Sequence, residues 1–280
     1  MLPADGIKGI FDTYGRQARL FPGLLTVFPT LLALVAWFPA LLTSSIGGTL
    51  LTLAMSCGLL YALGSWARTR GKRVEASLLS EWGGWPTTLL LRHSSKLDRV
   101  TRARYHGFLG AQVPGLVMPS EAEEAQAREQ ADEVYASAVK WLKERTRASN
   151  FAMIDRENAQ YGFRRNLLGL RPIGLWSCAI TFLGSVAVIA LNTDGLYNAL
   201  KSVDWGTLTL LAGSMSSSVW AALAVNLIAF VAWLRVVNKP WVREAADQYA
   251  EALLAACDLL AQSAPVKSKR GEPRIRPTSD

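Results

Sequence analysis

Histidine and cysteine are scarce in this sequence, which has two histidines and three cysteines in 280 residues. His93 and His106 are the only histidines, and Cys57, Cys178 and Cys257 show neither a zinc-binding spacing nor a disulfide framework. HExxH, CxxC, GxSxG and Walker motifs are all missing. We therefore expect no catalytic residue, no metal site and no cofactor.

Charge is absent from four apolar stretches, which contain no Asp, Glu, Lys, Arg or His: Leu24–Leu42, Ile46–Trp66, Ile173–Leu191 and Val219–Val237. Each is close to the ~20 residues that cross a bilayer core as a helix. Because the bilayer core contains no water, the backbone N–H and C=O groups of a spanning segment must hydrogen-bond to each other, which favours helices. The sequence therefore predicts an all-α integral membrane protein with four spans in two hairpins. The lack of ionisable groups within the spans argues against a coupled transporter.

Lys and Arg residues are distributed very unevenly around these spans. Of the 30 basic residues, 29 fall on one side of the predicted arrangement, and only Lys201 falls on the other. Basic residues next to a span favour the cytoplasmic side. We expect a multi-pass protein of the cell inner membrane, of bacterial type by composition, with both termini cytoplasmic. The same preference accounts for the net charge of +8. We therefore do not expect nucleic acid as a partner.

Six segments follow from the pattern. They are a cytoplasmic amphipathic lead-in (1–23), a first transmembrane hairpin (24–67), a helical cytoplasmic domain (68–172), a second hairpin (173–237), a cytoplasmic amphipathic helix (238–263) and a disordered basic tail (264–280). The alternative for the lead-in is a simple extension of the first span.

Start and stop signals predict the helices of the cytoplasmic segments. One helix should start near Ser94 or Ser95, and a long one should run from Pro119-Ser120 to about Arg147. A further helix over Phe151–Leu168 should lead into the third span. After the fourth span, Pro240 should open a helix that packs on the cytoplasmic domain.

The first candidate binding site lies just before the third span. Asn158, Tyr161 and Arg165 share one helical face, and Arg164 is adjacent. Two arginines and an amide can clamp an anionic ligand such as a phosphate or nucleotide. The alternative is that both arginines anchor the inner face of the membrane while Tyr161 belongs to the interfacial aromatic belt.

The second candidate is a basic cluster in the cytoplasmic domain. Its predicted ligand residues are Arg92, Arg99, Arg102 and His106. Such a stripe can bind phosphates or anionic lipid head groups. The alternative is a solvated face, or ion pairs with the acidic segment 121–133.

These observations lead to one functional hypothesis with two alternatives. The first is a non-enzymatic homo-oligomer whose cytoplasmic domain senses an anionic small molecule or soluble protein and alters membrane permeability or packing, as in stress or phage-defence effectors. Its pore would be lined by hydroxyl and amide side chains of the spans: Thr26, Thr30, Thr52, Ser56, Ser177, Thr181, Ser185 and Asn226. The alternatives are a membrane-anchored scaffold that recruits a partner through helix 120–147 and the tail, and a membrane enzyme that uses Glu81, His93 or His106 on lipid or nucleotide.

Overall fold

The structure is a computed structural model that describes residues 13–40, 44–45, 47–49, 58–147, 151–192, 201–202 and 204–263. Every regular element in these ranges is helical, as the sequence predicts. The helices are α1 (Thr13–Trp37), α2 (Leu59–Trp82), α3 (Pro86–Leu91), α4 (Arg99–Gln112), α5 (Glu121–Gln126), α6 (Arg128–Arg145), α7 (Ala152–Asn192), α8 (Trp205–Ser214), α9 (Ser217–Arg235) and α10 (Lys239–Ser263).

Three of the described helices are long and apolar enough to cross a membrane. They are α1, α9 and the Ala152–Leu191 part of α7. The last contains the predicted third span, whereas α1 and α9 end at Trp37 and Arg235, before the predicted ends of the first and fourth spans. Large apolar side chains remain exposed along them, including Phe28, Ile180 and Ile228, as expected for surfaces that face lipid. Nine of the 21 residues of the predicted second span, 46 and 50–57, lie outside the described residues, and α2 begins only at Leu59.

Helix α1 is continuous from Thr13 into the first span, with a π-helical turn at Arg16–Leu20. Pro22 has no backbone N–H, so it cannot donate to the carbonyl of Ala18 four residues earlier. Asn166 on α7 takes that place, and its Nδ2 donates to Ala18 O at 2.6 Å. The proline thus frees an acceptor that ties α1 to α7.

Hydroxyl groups also join α1 to α7 within the predicted spans. Thr30 Oγ1 lies 2.7 Å from Ser177 Oγ and 2.9 Å from Thr181 Oγ1, and Trp37 Nε1 donates to Ser185 Oγ at 3.1 Å. Polar side chains commonly bond across helices in this way inside membranes. These members of the predicted pore lining therefore hydrogen-bond within the chain.

Two helices of the predicted cytoplasmic segment differ from their predicted boundaries. Helix α4 begins at Arg99 rather than near Ser94 or Ser95, because Asp98 is the N-cap and accepts from Thr101 N at 2.8 Å. The predicted helix 120–147 begins with the expected Ser120 cap but is interrupted at Ala127, whose backbone is not helical. The interruption separates α5 from α6.

Buried Glu124 links α5 to its neighbouring helices. Its carboxylate accepts from Tyr135 Oη at 2.6 Å and from His93 N at 2.9 Å. A buried charge needs such donors, so this acid fixes α5 and the segment after α3 against α6.

Helix α7 runs without interruption from the predicted cytoplasmic segment into the predicted third span. It has 41 residues and contains Pro172, so the predicted helix over Phe151–Leu168 and the span are one element. Helix α10 packs on α3, α4 and α6, and buried side chains from all four helices form one core: Leu90, Leu91, Tyr105, Leu109, Tyr135, Leu142, Leu253 and Leu254.

Glycines allow α2 and α7 to cross closely. A Cβ added at Gly71 would lie 1.9 Å from Asn166 Oδ1, and one at Gly169 would lie 2.5 Å from the carbonyl carbon of Arg70. Small residues let helix backbones approach in this manner. The crossing brings the basic segment of α2 against the Asn158–Asn166 segment of α7.

Candidate functional site

A polar cavity lies at this crossing, with walls from α1, α2, α6, α7, α10 and the turn before α3. Its volume is about 230 Å³. The charged residues that line it are five cations and one carboxylate: Arg19, Arg68, Lys72, Lys143, Arg165 and Glu75. A concave site with such an excess of positive charge favours an anionic occupant.

Glu75 is the only carboxylate of the cavity wall, and its oxygens are already bonded. Lys72 Nζ donates to Oε2 at 2.6 Å, Tyr161 Oη donates to Oε1 at 3.1 Å, and Arg165 Nη1 also donates to Oε1. Burial acts to raise the pKa of Glu75, but Lys72 and Arg165 outweigh it, so the pKa lies below its ordinary value. Glu75 thus stays ionised and neutralises part of the cluster.

Lys143 projects into the cavity from α6 between two aromatic rings. Its Nζ lies 5.4 Å from the ring centroid of Trp85 and 5.8 Å from that of Tyr249. The pKa of Lys143 lies below its ordinary value, mainly because of burial. The charge of Glu75 acts to raise this pKa, and the charge of Lys72 acts to lower it. No carboxylate in the described ranges forms an ion pair with this ammonium group.

Three of the four residues predicted for the first site meet in the cavity. Asn158, Tyr161 and Arg165 line it together, as their shared helical face implies. Arg164 points elsewhere: its Nη1 donates to Glu244 at 2.8 Å and to the carbonyl of Trp241 at 2.9 Å. Adjacent residues on a helix are about 100° apart, so the two arginines cannot face one ligand.

The residues predicted for the second site do not converge on a common point. Arg92 Nε donates to Asp132 at 2.8 Å, Arg102 Nη1 to Leu97 O at 3.1 Å, and His106 Nε2 lies 2.7 Å from Leu91 O. Burial lowers the pKa of His106. Arg99 is exposed at the first turn of α4. Of these four residues, Arg92 alone forms an ion pair with an acid of segment 121–133 in the described part of the chain, as the ion-pair alternative has it.

The side chains considered for catalysis also make structural contacts. His93 Nε2 lies 3.0 Å from Pro119 O, and its ring is perpendicular to that of His106 at a centroid distance of 5.2 Å. Glu81 accepts from Lys239. Each of these groups therefore joins two segments of the chain. Among the described residues, no group of three or more His, Cys, Asp and Glu side chains is placed to hold a metal ion.

The sequence reasoning missed several cavity residues on other helices. Arg68, Lys72 and Glu75 lie at i, i+4 and i+7 of α2, so they share one face. That spacing is visible in the sequence and could have identified them. Lys143 could not have been found in this way, because only the packing of α6 against other helices, α10 among them, brings it to the cavity.

A second cavity, of about 320 Å³, is apolar and lies between α7 and α9 in their membrane-spanning parts. Cys178, Phe182, Leu227 and Phe230 contribute to its wall, and Asn226 is buried beside them. The sequence predicts that Asn226 bonds across helices, but its Nδ2 has no hydrogen-bond partner in the described part of the chain.

No protein-family model, no curated protein and no solved structure matches this chain. We therefore infer its function from the residues of the chain alone.

Proposed function

We propose that this chain is a non-enzymatic inner-membrane protein that senses a ligand or partner on its cytoplasmic side and alters the packing or permeability of its membrane helices. The observation that carries the proposal is the continuity of α7. Arg165 lines the cationic cavity, and Ser177 on the same helix contacts Thr30 of α1. They are roughly 18 Å apart at 1.5 Å per residue, so a displacement of the cavity wall would reach the α1–α7 contact.

The proposal includes four spans, with Ile46–Trp66 as the second, and cytoplasmic termini. It also includes a closed homo-oligomer. A single chain with so few spans is too small to enclose a water-filled path, and Thr30, Ser177 and Thr181 bond to each other. A conducting path would therefore form between copies arranged around an axis.

Ion flux across liposomes that contain the purified full chain tests the change in permeability. Glu75→Gln removes the carboxylate that holds Lys72 and Arg165, so repulsion between the remaining cations should separate α2 from α7 and change the flux. Glu81→Gln is the matched control, because Glu81 lies on the same helix but pairs with Lys239 outside the cavity.

We expect altered flux for Glu75→Gln, with wild-type flux for Glu81→Gln and equal membrane insertion of all three proteins. Flux no greater than in protein-free liposomes for both the wild type and Glu75→Gln would overturn the proposal. A strictly monomeric chain by native mass spectrometry, in detergent and in nanodiscs, would exclude the pore. The membrane-anchored scaffold would then be the better hypothesis.

A further inference from the structure

We propose that the cationic cavity is a binding site for a phosphate group, presented either by a small soluble phosphate or by a lipid head group. This inference deepens the proposed function and rests on it, because it gives the chemical class of the sensed ligand.

The balance of charge inside the cavity supports this proposal. Glu75 is shared by Lys72, Arg165 and the hydroxyl of Tyr161. No carboxylate in the described ranges forms an ion pair with Lys143 or Arg68. Because a partly buried cation without a counter-charge is costly, Lys143 favours an anion in the cavity, and the exposed Arg68 at the cavity wall is able to pair with the same anion.

The hydrogen-bond donors that remain available in the cavity also fit a phosphate group. Arg68 offers a planar guanidinium fork, Lys143 a compact ammonium, and Asn158 an amide that makes no hydrogen bond within the described residues. Guanidinium forks match the paired oxygens of phosphate, and lysine adds a point charge. Glu75 repels an anion locally, but it is neutralised by its own partners.

The size and position of the cavity also support the proposal. A volume of about 230 Å³ is below the roughly 300–1,000 Å³ of typical drug-sized ligand pockets, so the cavity suits a phosphate group better than a whole nucleotide. Arg68 follows directly on the apolar stretch that ends at Trp66. The cavity therefore opens near the inner membrane surface, within reach of both soluble phosphates and lipid head groups.

Calorimetric titration of the full chain in an uncharged detergent tests the proposal. The probes are inorganic phosphate, pyrophosphate and a short-chain phosphatidic acid, with chloride at equal ionic strength as the control. We expect saturable binding of at least one phosphate probe and none of chloride. Saturation by phosphate or pyrophosphate would indicate a soluble ligand, and saturation by phosphatidic acid alone would indicate a head group.

Two variants locate the binding site. Lys143→Gln should weaken binding about tenfold or more, as expected for loss of one charge-assisted hydrogen bond. Lys140→Gln, on the same helix but exposed and outside the cavity, should bind within about twofold of wild type, as surface charges contribute little. If Lys143→Gln does not fold by circular dichroism, the exposed Arg68→Gln replaces it with the same expectation.

Two results would overturn the assignment. One is the absence of saturable binding of all three phosphate probes to the folded wild-type chain. The other is binding that is unchanged in both Lys143→Gln and Arg68→Gln, which would place the phosphate elsewhere. Neither result depends on ion flux, so failure of this inference is distinguishable from failure of the proposed function.

Discussion

At the scale of single residues, Lys143 is the side chain whose position is hardest to justify by stability alone. It lies between Trp85 and Tyr249, where cation–π attraction offsets only part of the cost of burial. Burial lowers its pKa from an ordinary value of 10.5. A partly buried cation that lines a cavity and forms no ion pair in the described ranges is better explained by ligand binding than by folding.

The pH dependence of unfolding should reveal this cost. Between the lowered pKa of Lys143 in the folded chain and its ordinary value, the unfolded chain binds more protons, so the stability of the folded chain rises with pH in that window. Burial raises the pKa of the neighbouring Tyr249 to about 12, but this tyrosine is present in wild type and in Lys143→Met, so its contribution cancels in the difference between them. Lys143→Met should therefore unfold at a higher temperature than wild type at pH 7, and the difference should shrink towards pH 10.

Thermal unfolding followed by circular dichroism in detergent measures both profiles. Lys140→Met is the control, because Lys140 is exposed on the same helix and should leave the wild-type profile unchanged. Parallel curves for wild type and Lys143→Met over the whole range would show that Lys143 does not lower stability in this way.

At the scale of elements, the close crossing of α2 and α7 shapes the cavity. Gly71 and Gly169 permit the approach, and Asn166 bridges from the crossing to Ala18 of α1. Because α1, α2 and α7 contact one another and all contribute to the wall of the cavity, a change in their spacing alters both the cavity and the helices that continue into the predicted spans.

Gly169→Ala should disrupt this crossing. The new Cβ would lie 2.5 Å from the carbonyl carbon of Arg70, and this contact is with backbone that cannot rotate away. Overpacking of this kind costs about 1–3 kcal/mol, so we expect a lower unfolding temperature and weaker phosphate binding.

Gly184→Ala is the matched control for the crossing. It lies on the same helix with no described atom within 4 Å of the new Cβ, and Ala has a higher helix propensity than Gly. It should be neutral or slightly stabilising. Equal unfolding temperatures for Gly169→Ala and wild type would show that the crossing is looser than described.

At the scale of the whole molecule, basic residues do two different things. Their sidedness predicts the orientation of the chain, and five of them also line one cavity. Anchoring at the inner face and anion binding are therefore compatible explanations for Arg165 and its neighbours, although the sequence presents them as alternatives.

Reporter fusions test the orientation of all predicted spans, including the second. Fusions after Gly71, Ala148 and Asp280 should report the cytoplasm, and fusions near Ser45 and Lys201 should report the exterior, because 29 of the 30 basic residues fall on one side of the predicted arrangement. An exterior signal at Ala148 would contradict both the topology and a cytoplasmic cavity.

The sequence by itself determined the all-helical class and the apolar segments able to enter a membrane. Length and absence of charge are local properties, so they can be read without knowing the fold. The shared face of Asn158, Tyr161 and Arg165 is also local, because helical spacing fixes it. Helix ends were less certain: Asp98 rather than a serine caps α4, since several nearby side chains are able to cap.

Only the tertiary structure decided which charges act together. Arg164 and Arg165 are neighbours in sequence, yet one pairs with Glu244 and the other with Glu75. Lys143 and Arg68 are far apart in sequence and line the same cavity. Residue type and spacing specify what a side chain is able to bind, but the partner it meets depends on how distant helices pack, and here the crossing of α2 and α7 sets that packing.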